Sequence, residues 1–142
     1  MTIPIWTKAD EFGDAQIDAE HRRLLDLLAR LEANLFVESE MDEISIQFVV
    51  SDLKHHIGNH FAHEEQLMTS LSTMSDLEKE RHRANHSYWR ARISEHLTAL
   101  DGTKTDLERR RQLARLLGVA KTFWENHFST FDRTLGQFLE KN

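Results

Sequence analysis

The sequence contains no cysteine and only one proline, Pro4, among its 142 residues. The lack of cysteine excludes disulfides, iron–sulfur clusters and thiolate zinc sites. Any metal must therefore be held by imidazole and carboxylate groups, which suit iron, manganese, zinc or copper. Glycine is also scarce, with five residues, and so few helix breakers favour long helices.

Long apolar runs are missing as well. No stretch approaches the ~20 apolar residues that span a bilayer, and the start, MTIPIWTKADEF, has none of the features of a signal peptide. We therefore expect a cytoplasmic protein without a membrane partner. The net charge is −6 with histidine neutral, which argues against nucleic acid as a partner. We interpret the short basic segment ERRRQLAR (108–115) as a solvated helix face.

Apolar residues recur at helical spacing in four segments. The spacing predicts helices over residues 18–37, 42–71, 75–100 and 106–139, after an N-terminal arm of residues 1–17. Asp18 is the predicted N-cap of the first helix, and DGTKTD (101–106) is a predicted turn. Short loops make neighbouring helices antiparallel. The predicted fold is all-α, an up-down-up-down antiparallel four-helix bundle with an N-terminal extended arm, forming a single domain over residues 1–142.

Nine histidines are present, and several interrupt the apolar stripes near one level of the bundle. One such histidine is more often a core residue bonded to a backbone carbonyl than a ligand. That explanation would have to hold for five histidines and for Glu64, and burying an unpaired carboxylate costs several kcal/mol. Coordination to a cation removes the difficulty. The candidate ligands are His21, His60, Glu64, His82, His86 and His127.

The spacing of these residues suits a metal site between helices. His60 and Glu64 are four residues apart and share one helix face, and His82 and His86 repeat the arrangement. Five histidines exceed the protein ligands of one tetrahedral ion, so two ions that share bridging carboxylates are the better hypothesis. Asp132 is the candidate second bridge. It follows His127 by five residues, which fits one helix face poorly, so it must reach sideways or the helix must distort.

The chain resembles the hemerythrin family in its bacterial form. The resemblance rests on IDAEHRRL (17–24), HFAHEE (60–65), HRANH (82–86) and HFSTFD (127–132). It implies two non-haem irons with an oxo or hydroxo bridge. One iron would be held by His82, His86 and His127, and the other iron by His21 and His60. The carboxylates of Glu64 and Asp132 would bridge the two irons.

The resemblance implies a protein that binds O2 reversibly at the open position of the second iron. Two uses remain open: O2 transport or storage, and O2 or redox sensing that a downstream signalling domain would read. The alternative is a diiron redox enzyme acting on NO or peroxide. Histidine-rich ligation with one open position favours binding, so we do not expect an enzyme. A metal-free interaction module is disfavoured because its buried carboxylates would have no partner.

The chain departs from the family pattern at His56, where a tyrosine is common, and in SLSTMS (70–75), within a longer connection between the second and third helices. His56 is either a hydrogen-bonding residue or an extra ligand or proton relay. The other histidines are expected to be exposed: His55, His63 and His96. Four large aromatic residues are expected in the core: Trp89, Phe123, Trp124 and Phe131. Of these, Trp89 and Trp124 are also expected near the O2 pocket. Gly58 either permits close helix approach or is merely tolerated.

Overall fold

A computed structural model describes residues 3–36 and 43–141 of the chain. Helix α1 spans Ala15–Leu35, α2 Glu43–Thr69, α3 Asp76–Asp101 and α4 Asp106–Phe123. The backbone continues from α4 without a break into a π-helical stretch, Trp124–Asp132, called the π segment, and then into α5, Arg133–Lys141. The predicted helix limits at Val37 and Asp42 lie outside the described residues. Each helix packs on its sequence neighbours and α1 also packs on α4, so the predicted four-helix bundle is confirmed.

The start of α1 differs from the prediction. Asp14 is the N-cap, and its carboxylate accepts a hydrogen bond of 3.0 Å from the Ile17 N–H. The predicted cap at Asp18 is therefore wrong. The Asp18 carboxylate instead accepts the N–H groups of Phe12 at 2.5 Å and Gly13 at 3.3 Å, and so fixes the arm to the helix.

The N-terminal arm lies along α1 over the length of the bundle. The Ile3 N–H donates to the Glu32 carboxylate at 3.1 Å, near the end of α1. Further along the arm, Phe12 is buried against α5. The contact is close: a Cβ atom on Gly136 would lie 2.8 Å from the Phe12 carbonyl oxygen, so only glycine fits there.

Two apolar clusters fill the bundle, one on each side of a layer of buried polar residues. The larger contains leucines of α1 and α4 with Ile46, Val50 and Leu53 of α2. The smaller lies beneath the arm and contains Phe12, Ile17, Met68, Leu71, Met74 and Leu135. Within residues 3–36 and 43–141, none of the helices combines the length and apolar character that crossing a membrane requires.

The basic segment at the start of α4 is a solvated face only in part: Arg111 and Arg115 are exposed, whereas Arg109 and Arg110 are not. Arg109 is only 6% exposed, and its guanidinium lies 3.5 Å from the Glu43 carboxylate. Arg110 donates a hydrogen bond of 3.0 Å to the Leu35 carbonyl oxygen at the end of α1. The two arginines join α4 to the neighbouring helices through ion pairs and terminal carbonyls that helical periodicity does not reveal.

Candidate metal centre

The seven predicted ligand residues meet in the polar layer between the two apolar clusters. α1 contributes one of them, α2 and α3 contribute two each, and the π segment contributes the last two. All seven side chains are buried, with relative exposures of 0–2%. They are His21; His60 and Glu64; His82 and His86; and His127 and Asp132.

The π segment explains how His127 and Asp132 reach the same layer. Five residues along an α-helix rotate by about 140° relative to the first, which would point one side chain away from the site. π-helical turns close hydrogen bonds between residues five apart and so bring such residues towards one face. The structure places both residues inside this segment, so the helix distorts, which is the second of the two alternatives that the sequence left open.

The two carboxylates occupy the middle of the layer, and each directs one oxygen to either side. Glu64 Oε1 lies 2.6 Å from His60 Nε2, whereas its Oε2 lies 3.0 Å from His82 Nε2. Asp132 divides in the same way. Its Oδ2 lies 3.1 Å from His21 Nε2, and its Oδ1 lies 3.0 Å from His127 Nε2. The imidazoles therefore form two sets, and both carboxylates connect the sets.

The donor atoms form two overlapping groups. The five-donor group consists of Glu64, His82, His86, His127 and Asp132. The four-donor group consists of His21, His60, Glu64 and Asp132. Within each group the potential ligand atoms all lie within 4.8 Å of one another. Each group thus has the donor types, spacing and burial to hold one cation.

Several of these buried donor atoms lie close to one another but form no well-aligned hydrogen bond within the described residues. They include Nε2 of His60, His86 and His127, together with Glu64 Oε1 and Asp132 Oδ1. A buried polar atom without a partner costs free energy. Cations placed in the two donor groups would satisfy all five atoms, so this donor set fits a metal.

Three of the imidazoles have a polar neighbour at the other ring nitrogen. His127 Nδ1 lies 2.5 Å from Asn85 Oδ1, and His86 Nδ1 lies 3.4 Å from Glu65 Oε1. His60 Nδ1 lies 3.8 Å from the Glu20 carboxylate, an ion-pair distance. Such partners set the orientation and basicity of metal-binding imidazoles.

These three neighbours were not predicted from the sequence. Asn85 and Glu65 stand inside the quoted motifs, each next to a histidine or glutamate of the candidate set, and Glu20 precedes His21. Their positions in the motifs were the available signal. However, spacing along one helix does not reveal contacts between two helices, and each of these contacts joins different helices.

The electrostatics without a cation favour protonated imidazoles beside ionised carboxylates. Burial alone would lower the pKa of His60, but the Glu64 carboxylate raises it to about 10. Burial likewise opposes protonation of His127, whereas Asp132 raises its pKa to about 9. Burial and the Glu64 charge would raise the pKa of Asp132, but His127 lowers it to about 2. A cation that binds to these imidazoles must therefore displace their protons.

The remaining histidines lie outside both donor groups. His56 is half-buried, and its Nε2 donates to the Glu20 carbonyl oxygen over 2.7 Å, so it is a hydrogen-bonding residue in this structure. His55 is exposed as predicted, but His63 and His96 are half-buried. His63 Nδ1 lies 2.9 Å from the Glu20 carboxylate, which explains why it is partly covered.

Aromatic rings surround the four-donor group. Trp124 and Phe128 contact the His21 ring edge-on, with centroid distances of 5.6 and 4.9 Å. Phe12 of the arm approaches the same ring at 5.9 Å. Trp124 and Trp89 are both buried, as the sequence predicted; Trp89 packs on Phe123 at 5.6 Å.

Comparison with known protein families gives a match over most of the chain. The family model described as the hemerythrin HHE cation-binding domain matches residues 13–139, which include all seven candidate ligands. No curated protein matches the chain.

Proposed function

Because this chain belongs to the hemerythrin family of HHE cation-binding domains, we propose that it is a non-haem diiron protein that binds O2 reversibly, as a carrier or as an O2- or redox-sensing domain. The domain extends over residues 1–142, and its ligands are the seven buried residues described above.

The division of the two carboxylates carries this proposal. Glu64 and Asp132 each turn one oxygen to the five-donor group and the other to the four-donor group. A carboxylate in that position bridges two cations and lowers the repulsion between them. A single cation would use only one side and leave buried donors of the other side unpaired.

The chemistry of the donors supports iron. Five imidazoles and two carboxylates, without any thiolate, suit iron among the first-row metals. When bound, a pair of ferrous ions supplies the two electrons and the open coordination position that reversible O2 binding requires.

The unequal donor counts support a single open position. The four-donor group has two imidazoles where the five-donor group has three. If both groups hold iron, the free position would belong to the side of His21 and His60, which is also the side that the rings of Phe12, Trp124 and Phe128 cover. These residues exclude water. The apolar surface that they form is more favourable for a small apolar diatomic molecule than for an ion.

The ligands are held in place by groups on other helices. Asn85 orients His127, and Glu65 and Glu20 lie beside His86 and His60. Fixed imidazoles favour binding of O2 without rearrangement of the site, which supports reversible binding over multistep redox turnover.

The test is to measure the iron content of the purified protein and its absorption spectrum, first reduced without air and then cycled through O2. We expect about two irons per chain and charge-transfer bands that appear with O2 and disappear when it is removed. Irreversible oxidation together with steady turnover of NO or peroxide would instead support a diiron redox enzyme. Absence of iron after anaerobic loading would contradict both.

Carrier and sensor differ in what the bundle does when O2 binds. A sensor requires a difference in the packing of α4 and the π segment, which hydrogen exchange of their amides measures. Unchanged exchange in both helices favours a carrier.

A further inference from the structure

The buried donors raise the question of how an ion reaches them. All seven side chains are at most 2% exposed, so a hydrated cation must cross protein to arrive. Four surface pockets of about 180 to 560 Å³ contain none of the seven residues in their walls. A fifth pocket, of about 240 Å³, includes His82 in its wall.

This pocket, called the α3–π pocket, lies between the start of α3 and the end of the π segment. Besides His82, its wall includes Glu78, Arg81, Thr130, Phe131 and Thr134. A liquid water occupies about 30 Å³, so the pocket has room for a divalent cation with its hydration shell. His82 Nε2 in turn lies 3.0 Å from Glu64 and 3.3 Å from Asp132. The pocket therefore ends at a donor of the five-donor group.

We propose that the α3–π pocket is the entrance through which a hydrated divalent cation reaches the buried centre, and that the Phe131 ring is its gate. This inference rests on the proposed function, because it assigns the route by which the same centre is filled and emptied.

Phe131 has the position that a gate requires. It is half-buried and lines the pocket on one side. On the other side it packs on two donors: it meets the His82 ring edge-on at 5.6 Å and stacks on the His127 ring at 5.7 Å. A change of the Phe131 rotamer would join the pocket to these donors without moving a helix.

The polar groups of the pocket suit a hard cation in transit. Thr130 and Thr134 donate their hydroxyl hydrogens to backbone carbonyls, so their oxygens present lone pairs. Glu78 supplies a carboxylate, which attracts the ion, whereas Arg81 places a positive charge in the same wall. Oxygen donors that replace hydration water only partly allow an ion to pass without being trapped.

The test uses the full chain, stripped of metal by a chelator and mixed with Co²⁺ or, without air, with Fe²⁺ in a stopped-flow instrument. Uptake is followed by absorption, and extraction is followed after addition of excess chelator. A gate changes both rates by the same factor and leaves the dissociation constant unchanged. We expect Phe131→Ala to raise both rates about tenfold and Phe131→Trp to lower both. Phe131→Leu is a milder substitution that serves if the alanine variant folds poorly.

Charge variants test the pocket independently of the ring. Glu78→Gln should slow uptake, and the effect should fade at high salt; glutamine still serves the capping contact with Ser75. Arg81→Gln should speed uptake. Glu80→Gln is the matched control because Glu80 is exposed on the same helix and does not line the pocket.

Val49→Ala controls for general loosening, because Val49 is half-buried in α2 on the far side of the larger apolar cluster. Uptake that rises as much in this variant as in Phe131→Ala would overturn the inference. So would wild-type rates in all the Phe131 variants while the wild-type protein loads normally. A wild-type protein that takes up neither ion would overturn the proposed function itself.

Discussion

His56 donates a hydrogen bond from Nε2 to the backbone carbonyl oxygen of Glu20, and the two atoms are 2.7 Å apart. The bond ties α2 to the turn of α1 that carries His21. Glu20 in turn places its carboxylate 3.8 Å from His60 Nδ1. His56, which lies outside both donor groups, thus holds the backbone next to His21. Through Glu20 it also holds the carboxylate beside His60.

His56→Leu should destabilise the protein without removing metal. The half-buried Glu20 carbonyl, which belongs to the helical ladder of α1, would lose the additional bond from His56, which costs about 0.5–1.5 kcal/mol in the free energy of unfolding. Iron content and the positions of the charge-transfer bands should stay close to wild type. Urea denaturation and absorption spectra measure the two effects. His55→Leu, at the exposed neighbouring position, is the control. Loss of iron from His56→Leu alone would show that His56 is a ligand.

The two donor groups predict different metal contents for two substitutions. His21→Ala removes a donor of the four-donor group only, so about one ion per chain should remain in the five-donor group. Glu64→Gln removes a donor common to both groups and should lower the content below one. Elemental analysis of protein loaded without air distinguishes these results. Glu125→Gln, an exposed change in the π segment, should bind metal like wild type. Equal losses in the first two variants would argue against two overlapping sites.

Removal of one residue from the π segment should leave both ligands on one helix face. Deletion of the exposed Ser129 reduces the residues between His127 and Asp132 from four to three and lets the backbone form regular α-helical hydrogen bonds. The two ligands would then stand four residues apart in an α-helix, the spacing that places His60 and Glu64 on one face. We expect the metal binding and the helix content to be retained.

Circular dichroism and elemental analysis measure the helix content and the bound metal of the deletion variant. Ser129→Ala keeps the chain length and should bind metal normally. A deletion variant that binds clearly less metal than Ser129→Ala would contradict this expectation and show that the centre requires the π-helical geometry itself.

Two helical glycines should respond in opposite directions to alanine. At Gly136 a Cβ atom would meet the Phe12 carbonyl oxygen at 2.8 Å, so Gly136→Ala should cost about 1–3 kcal/mol and loosen the arm. At Gly58 a Cβ would meet nothing within 4 Å, so Gly58→Ala should stabilise α2 by about 0.5–1 kcal/mol. Urea midpoints of the metal-free protein test both. A stabilised Gly136→Ala would contradict the packing of the arm against α5.

The metal-free protein should be most stable near pH 6.5. His60 and His127 have pKa values of about 10 and about 9 in the folded chain, above the ordinary 6.5. Their contribution is complete below pH 6.5 and is lost as the pH rises through 9 and 10. Burial lowers the pKa of His86 and His56, so their contribution is lost as the pH falls below 6.5. Urea midpoints at a series of pH values, with chelator present, should show this maximum.

The same pKa values predict that the centre releases protons when it fills. At pH 7, His60 and His127 are protonated without metal and must lose their protons to coordinate, so loading should release about two protons per chain or more. A pH indicator in weakly buffered solution measures the release on addition of Co²⁺. If the number of protons released per chain does not change between pH 6 and pH 9, the imidazoles of the metal-free centre are not protonated as described.

The sequence predicted the fold well because helical periodicity and the scarcity of breakers record which faces are buried. It also predicted which seven polar residues meet, because several buried polar groups on apolar stripes are costly unless they lie together. The five-residue interval between His127 and Asp132 even indicated a distortion. That these residues bind two irons remains a proposal.

Other features depend on contacts between elements and left no periodic signal. Asp14 and Asp18 are equally good N-caps by type, and only the route of the arm decides that Asp18 binds Phe12 and Gly13 instead. Arg109 resembles a solvated residue in the sequence because its partner, Glu43, stands on another helix. Glu20 has the same property with respect to His60.

The aromatic cover of the four-donor group gives the protein an intrinsic fluorescent reporter. Trp124 stacks on Phe128 at 4.1 Å and meets the His21 ring at 5.6 Å. Trp6 lies in the arm beneath the Arg22 guanidinium, and Trp89 packs on Phe123. Of the three tryptophans, Trp124 should therefore have its fluorescence quenched most strongly by a paramagnetic ion beside His21. The filling of the centre can therefore be followed in unlabelled protein.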